Sequence, residues 1–183
     1  SEVPKTRGAV TVDVKRQYAN VIDAAAGGAS QGMTLAINVA AMLIAFLAFI
    51  ALIDYVLALL HPALSLASLF SVVFAPAAFL LGVASADVGA VADLLGTKIV
   101  ATEFVAYVKL TTEYQDLIEP RSFVLATYAL TGFANFGSVG ILLGGLGGMA
   151  PERRGDLARL GTRALFGGFV ATLINASIAS LLI

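Results

Sequence analysis

Four side chains in this sequence are of the right type and spacing to hold a polar ligand: Glu103, Phe133, Asn135 and Ser138. Glu103 lies between Thr102 and the apolar Phe104-Val-Ala. A carboxylate near the middle of a bilayer, at the tip of a hairpin, is too costly to be incidental. There it would offer acceptors to a polyhydroxylated molecule. On an exposed helix face it would be an ordinary solvated glutamate. Asn135 adds a donor and an acceptor, and Ser138 adds a hydroxyl one helical turn along the same face. Such groups, set opposite one another, can hold vicinal hydroxyls. Phe133 can supply an apolar wall for a flat ring.

The elements that must position these groups are unusual. Asn135 and Ser138 fall in a charge-free run from 122 to 151, long enough to cross a bilayer at about 1.5 Å per residue. Yet its centre holds Thr131, Asn135, Ser138 and many glycines, where lipid would favour Leu and Val. Gly132 and Gly137 flank Phe133-Ala-Asn-Phe136, so the pattern predicts a helix broken in its middle. A break exposes backbone groups that lipid cannot satisfy, so it belongs beside protein or a wet cavity. That is where discontinuous helices hold substrates. The competing reading is small-residue packing, because Gly140-xxx-Gly144-xxx-Gly148 is a helix-contact pattern.

Composition sets the class. Hydrophobic residues make up 59% of the 183 and charged residues 13%, against about 45–50% and about 25% in soluble domains. No Asp, Glu, Lys or Arg occurs in 24–53, 55–86, 122–151 or 164–183. These gaps predict an all-α integral membrane protein. A formal net charge of −1 gives no electrostatic reason to expect nucleic acid as a partner. Cysteine is absent, which excludes disulfides and thiolate metal sites. The single His61, beside Pro62, reads as a loop residue, and no metal site or cofactor is expected. Gly144-Gly-Leu-Gly-Gly148 lacks the Lys-Ser/Thr of a phosphate loop. Nothing resembles a Ser-His-Asp arrangement, so an enzyme is not expected. Asp87 and Asp93, six apart, fall on different helix faces.

Along the chain, residues 1–32 read as a cytoplasmic surface helix (about 12–26) and a flexible joint at 27–32. Lys5, Arg7, Lys15 and Arg16 place this end inside by the positive-inside rule. Residues 33–183 form the transmembrane part, beginning with a spanning helix at 33–55. Asn38 within it reads as a packing residue. Residues 64–82 have the length for another crossing, but that crossing would push Arg153, Arg154, Arg159 and Arg163 outside. The segment is therefore read as a helix lying along the outer face. Residues 86–116 divide into two short helical pieces with Thr102-Glu103 between them, and Ser85 or Asp87 can cap the first. They suit either a re-entrant hairpin or one amphipathic surface helix. The broken helix follows at 121–149, then a cytoplasmic turn with Pro151 and Glu152 suited to starting a helix. A last crossing at 156–182 puts the carboxy terminus outside, with Asn175 and Ser177 read as packing contacts.

Gly132-Phe-Ala-Asn-Phe-Gly-Ser-Val-Gly140, followed by Gly145-Leu-Gly-Gly-Met-Ala-Pro-Glu-Arg-Arg154, resembles the concentrative nucleoside transporter family. So do Glu103-Phe-Val-Ala-Tyr107 and Asn38-Val-Ala-Ala-Met-Leu-Ile-Ala-Phe46. The likeness runs in order through nearly the whole chain and matches the carboxy-terminal half of that family. It implies the second of two inverted repeats, and it selects the re-entrant hairpin over the surface helix. It further implies cation-coupled (Na⁺ or H⁺) nucleoside symport into the cell, a homotrimer in the cell membrane, and elevator-like movement of the hairpin and broken helix. On this resemblance Glu103, Asn135 and Ser138 meet the ribose and Phe133 lies by the base. The coupling ion would sit mostly in a missing amino-terminal half, and the chain, which begins with Ser, is expected to be part of a longer protein. Two positions depart from the family pattern: Thr102 stands where members usually have Asn, and Gly137 where many have Ser. The alternative from a different class is a non-transporting helical membrane subunit whose glycines serve packing.

Overall fold

The computed structural model describes residues 18–183, and these fall into two compact units that divide between Thr34 and Leu35. Every regular element among the described residues is helical. The expected surface helix at 12–26 lies largely outside them. The joint expected at 27–32 is not a joint: α1 runs unbroken from Val21 to Leu60. Asn20 caps its start by accepting from the Asp23 amide at 2.9 Å. Gly27 serves close approach rather than flexibility, since a Cβ there would come within 2.3 Å of the Tyr18 ring. Tyr18 also accepts a hydrogen bond from Gln31 Nε2. At 1.5 Å per residue, the 40 residues of α1 span about 60 Å, twice a hydrocarbon core. Ile50 is its one buried residue, so its apolar sides are left for lipid or other chains.

In the larger unit α2 (Leu66–Leu80) is about 22 Å long, too short for a full crossing, and Pro76 lies within it. Ser65 and Ser68 form a capping box at its start, and Asp54 accepts from the Leu66 amide at 2.6 Å. Gly82, at φ +81°, lies just past its end. The next two helices, α3 (Val88–Val100) and α4 (Glu103–Thr112), form the hairpin. They are joined through Ala101 and Thr102, with Glu103 opening α4 at the tip. Lys109 and Tyr114 both reach Asp93, at 2.6 and 2.9 Å, tying the second arm to the first.

The helix expected to break does break. Its halves are α5 (Pro120–Leu130) and α6 (Phe136–Met149), and Gly132 takes φ +85° between them. That left-handed turn favours glycine, and a Cβ there would lie 2.6 Å from Thr172 Cγ2. After a short 3₁₀ turn at Pro151–Arg153, α7 (Arg154–Ser180) completes the unit. Both α1 and the stretch Pro151–Ser180 are long and apolar enough to cross a membrane.

The core is built on α3, where Val91, Ala92 and every residue from Leu94 to Val100 are buried. It packs most extensively on α2, and also touches α4, α5 and α6. Phe74 of α2 packs at a tilt against Phe169 of α7 (4.6 Å between centroids), and Phe70 of α2 meets Phe136 of α6 at 5.8 Å. The glycine pattern of α6 does serve packing. A Cβ at Gly140 would strike Phe46 at 2.7 Å, and one at Gly144 would meet the Asn38 carbonyl at 3.2 Å.

Several polar residues have roles other than those expected from the sequence. Asp87 precedes α3 but makes no side-chain cap bond; its buried carboxylate accepts from the Glu119 amide, 3.0 Å away. Asn175 and Ser177 are exposed, and Ser177 donates only to Leu173 of its own helix. The buried polar residue of α7 is Thr172. His61 is the loop residue expected, its Nδ1 accepting from the Ala63 amide.

Candidate functional site

Two helix starts converge here. Thr102 caps α4, its Oγ1 accepting from the Val105 amide at 3.2 Å. Asn135 caps α6, its Oδ1 accepting from the Ser138 amide at 2.7 Å. Both caps leave a helix amino terminus, with its partial positive charge, at the same place. Glu103, in the first turn of α4, is the matching carboxylate. Asn135 Nδ2 donates to Glu103 Oε2 at 2.9 Å and so bridges the hairpin tip to the broken helix.

Three of the four expected residues are thus joined through hydrogen bonds. Their exposures differ sharply. Asn135 is fully buried and Ser138 is 4% exposed, whereas Phe133 is 55% exposed and Glu103 is partly exposed. Ser138 is committed to the turn: its hydroxyl donates to the Asn135 carbonyl at 2.6 Å and accepts from the Asn135 amide at 3.3 Å. The spacing of three that suggested a shared helical face is instead that of a capping box. Asn135 and Ser138 build a rigid loop, and the open groups are the Glu103 carboxylate and the Phe133 ring. From α4, Tyr107 donates to the Thr127 carbonyl at 2.8 Å, a second tie between the hairpin and α5.

Lys98 is not one of the four expected residues. The structure buries it completely. Its Nζ donates to the carbonyls of Ala129 and Thr131 and to Thr172 Oγ1, each at 2.9 Å, and it faces the Phe169 ring at 5.3 Å. These carbonyls lie at the carboxy-terminal end of α5, where the helix stops and its own amides no longer supply partners. Glu103 lies five positions after Lys98, so one hairpin carries a charge to each side of the break. A lysine within an apolar helical stretch next to a predicted break was the available signal.

The family described as "Na+ dependent nucleoside transporter C-terminus" matches residues 2–180. The chain belongs to that family. Among curated relatives, it is 45% identical over 174 residues to an uncharacterized transporter of Haemophilus influenzae, covering 90% of this chain and 42% of the relative. It is 42% identical over 182 residues to sodium/nucleoside cotransporter 1 of Sus scrofa, covering 89% and 28%. The human protein of that name is 41% identical over the same length and coverage. The chain therefore spans less than half the length of these relatives. Among solved structures, a doubly substituted CNTnw in an outward-facing state matches with a TM-score of 0.82 at 38% identity, covering 94% of this chain and 45% of that one. CNTnw in an inward-facing substrate-bound state matches with a TM-score of 0.69 at 37% identity, covering 98% and 45%. The helical hairpin and broken helix thus belong to a nucleoside-transporter fold, and the expected all-α membrane class holds.

Proposed function

We propose that this chain is the carboxy-terminal half of a cation-coupled nucleoside symporter and supplies the ribose-facing side of its site. The observation that carries the proposal is the Asn135–Glu103 hydrogen bond, which joins two helix starts at the tip of the hairpin. Names of relatives that specify sodium/nucleoside cotransport support nucleoside as substrate and favour Na⁺ as the coupling ion. Two vicinal hydroxyls donate to the Glu103 carboxylate, and Asn135 Nδ2 turns its donor to a ribose oxygen. Phe133, already exposed, lies along the base. Ser138 acts through Asn135, holding the loop that aims it. The opposing side of the site, the base-reading groups and the coupling-ion ligands come from the upstream half, and three such protomers assemble in the membrane.

The test is uridine titration of the protein carrying both halves, with and without Glu103→Gln. The variant keeps the shape of the side chain and removes the charge that accepts two hydroxyls. Expected is normal insertion and assembly with more than about tenfold weaker binding, a loss of about 1.4 kcal/mol or more. Affinity within about threefold of the parent, under about 0.7 kcal/mol, would exclude the ribose role.

A further inference from the structure

We propose that Lys98 is the resident cation of the α5–α6 break and a positioning residue for the Asn135–Glu103 pair. Its tethered ammonium takes the place that a free monovalent cation would otherwise occupy. The nucleoside-binding arm of this inference rests on the function proposed above; the cation arm does not.

The broken end of α5 presents Ala129 and Thr131 carbonyls toward a space closed on the far side by Thr172 Oγ1. In discontinuous helices, unwound carbonyls and half-helix carboxy termini are where transporters coordinate coupling cations. Both the free lone pairs and the helix dipole make such an end cation-seeking. Here the acceptors are filled from within the chain. An ammonium has three donors and no acceptor, and Lys98 meets three acceptors at 2.9 Å each, so nothing on it is unsatisfied. The Phe169 ring, 5.3 Å away, adds cation–π attraction.

The same contacts give Lys98 mechanical reach. It belongs to α3, and its three partners belong to α5, to the unwound turn and to α7. One side chain therefore fixes the start of the turn whose end is Asn135, four residues beyond Thr131. Thr172 is doubly engaged, accepting from Lys98 and donating to the Phe169 carbonyl at 2.8 Å. Removing the ammonium takes from the Ala129 and Thr131 carbonyls the donor they share at the break.

The experiment compares Lys98→Ala and Lys98→Met with the parent protein carrying both halves. Thermal midpoints are measured in methylammonium chloride and in choline chloride of equal ionic strength. Lys98→Ala opens room for a small cation, so its midpoint is expected to rise by at least about 3 °C in methylammonium relative to choline. Lys98→Met fills the space with an apolar chain, and the parent already holds its cation, so neither responds. In parallel, uridine binding to Lys98→Met is expected to weaken by about tenfold or more, and binding to Lys98→Ala to recover in methylammonium. Equal midpoints for Lys98→Ala in the two salts would overturn the resident-cation role. Uridine affinity of Lys98→Met within about threefold of the parent would overturn the positioning role. If neither variant folds, Thr172→Val removes one of the three acceptors; an unchanged midpoint together with unchanged affinity then overturns the inference. A parent that binds no nucleoside defeats the function proposed above, while the midpoints still decide the cation.

Discussion

At the hairpin tip a single hydroxyl decides whether α4 begins in the right place. Thr102 stands where the family resemblance leads one to expect Asn, and its Oγ1 performs the capping that an Asn side chain would perform. The departure is thus chemically conservative. Thr102→Asn should leave uridine affinity within about threefold of the parent, because Asn caps at least as well as Thr. Thr102→Val keeps the shape but loses the acceptor, which costs about 0.5–2 kcal/mol at a helix start. Its expected signature in calorimetry is weaker binding, because Glu103 is the first residue of the uncapped helix. Equal affinity for Thr102→Val and the parent would show that the cap does not position the carboxylate. The second departure, Gly137, has a packing account. A Cβ there would stand 3.1 Å from Leu43 Cδ1 and 3.2 Å from Asn135 Oδ1, crowding the atom that caps α6.

Among elements, α3 matters most, because it is the one helix of the described residues that is buried along most of its length and it carries Lys98. Its closeness to α2 depends on Gly96. A Cβ at that position would lie 2.4 Å from the Ala67 carbonyl oxygen and 3.0 Å from the Ser71 amide nitrogen, both backbone atoms that cannot swing aside. Gly96→Ala must therefore separate the two helices, and overpacking of this kind costs about 1–3 kcal/mol. Gly89, on the same helix, has nothing within 4 Å of its would-be Cβ. Gly89→Ala should be neutral or stabilising, since alanine is favoured over glycine in a helix by up to about 1 kcal/mol. Thermal unfolding in detergent should place Gly96→Ala below the parent and Gly89→Ala at or above it. The reverse order would mean that α2 and α3 are not in close register.

For the whole molecule, the question is which charges report the membrane arrangement. Lys98 does not, being buried, and Lys109 is paired with Asp93. Arg121, at the start of α5, donates to carbonyls of Ser180 and Ile183, so it closes the end of α7. Among the described residues this leaves the group Arg153, Arg154, Arg159 and Arg163, all at or near the start of α7. Asp156 pairs with Arg153 and Arg159 on that surface. Under the positive-inside rule this end should face the cytoplasm. The absence of cysteine allows a direct measurement. In intact cells an impermeant maleimide should label Gln115→Cys and leave Glu152→Cys unlabelled; both positions are exposed in the chain. Labelling of Glu152→Cys but not of Gln115→Cys would invert the arrangement.

Charge-free runs and two glycines beside an apolar Asn-containing segment were enough to read an all-α membrane chain and a broken helix, whereas the hairpin was selected over a surface helix by the family resemblance. These are local properties, set by what lipid tolerates over one helix length and by where glycine permits a break. Glu103, Phe133, Asn135 and Ser138 could be named for the same reason. Their division of labour could not, because whether a polar atom is open or spent on a cap depends on neighbours in space. Only the folded chain showed Ser138 locked into its turn, Asn135 bonded to a carboxylate 32 residues away, and Asp87 holding Glu119 rather than its own helix. Lys98 is the clearest case. Its sequence neighbours are Thr97 and Ile99, and its partners lie 31 to 74 residues further along, on two other helices and the turn between helix halves. Charge is written in the sequence, but the carbonyls that stabilise a buried charge are brought to it by packing.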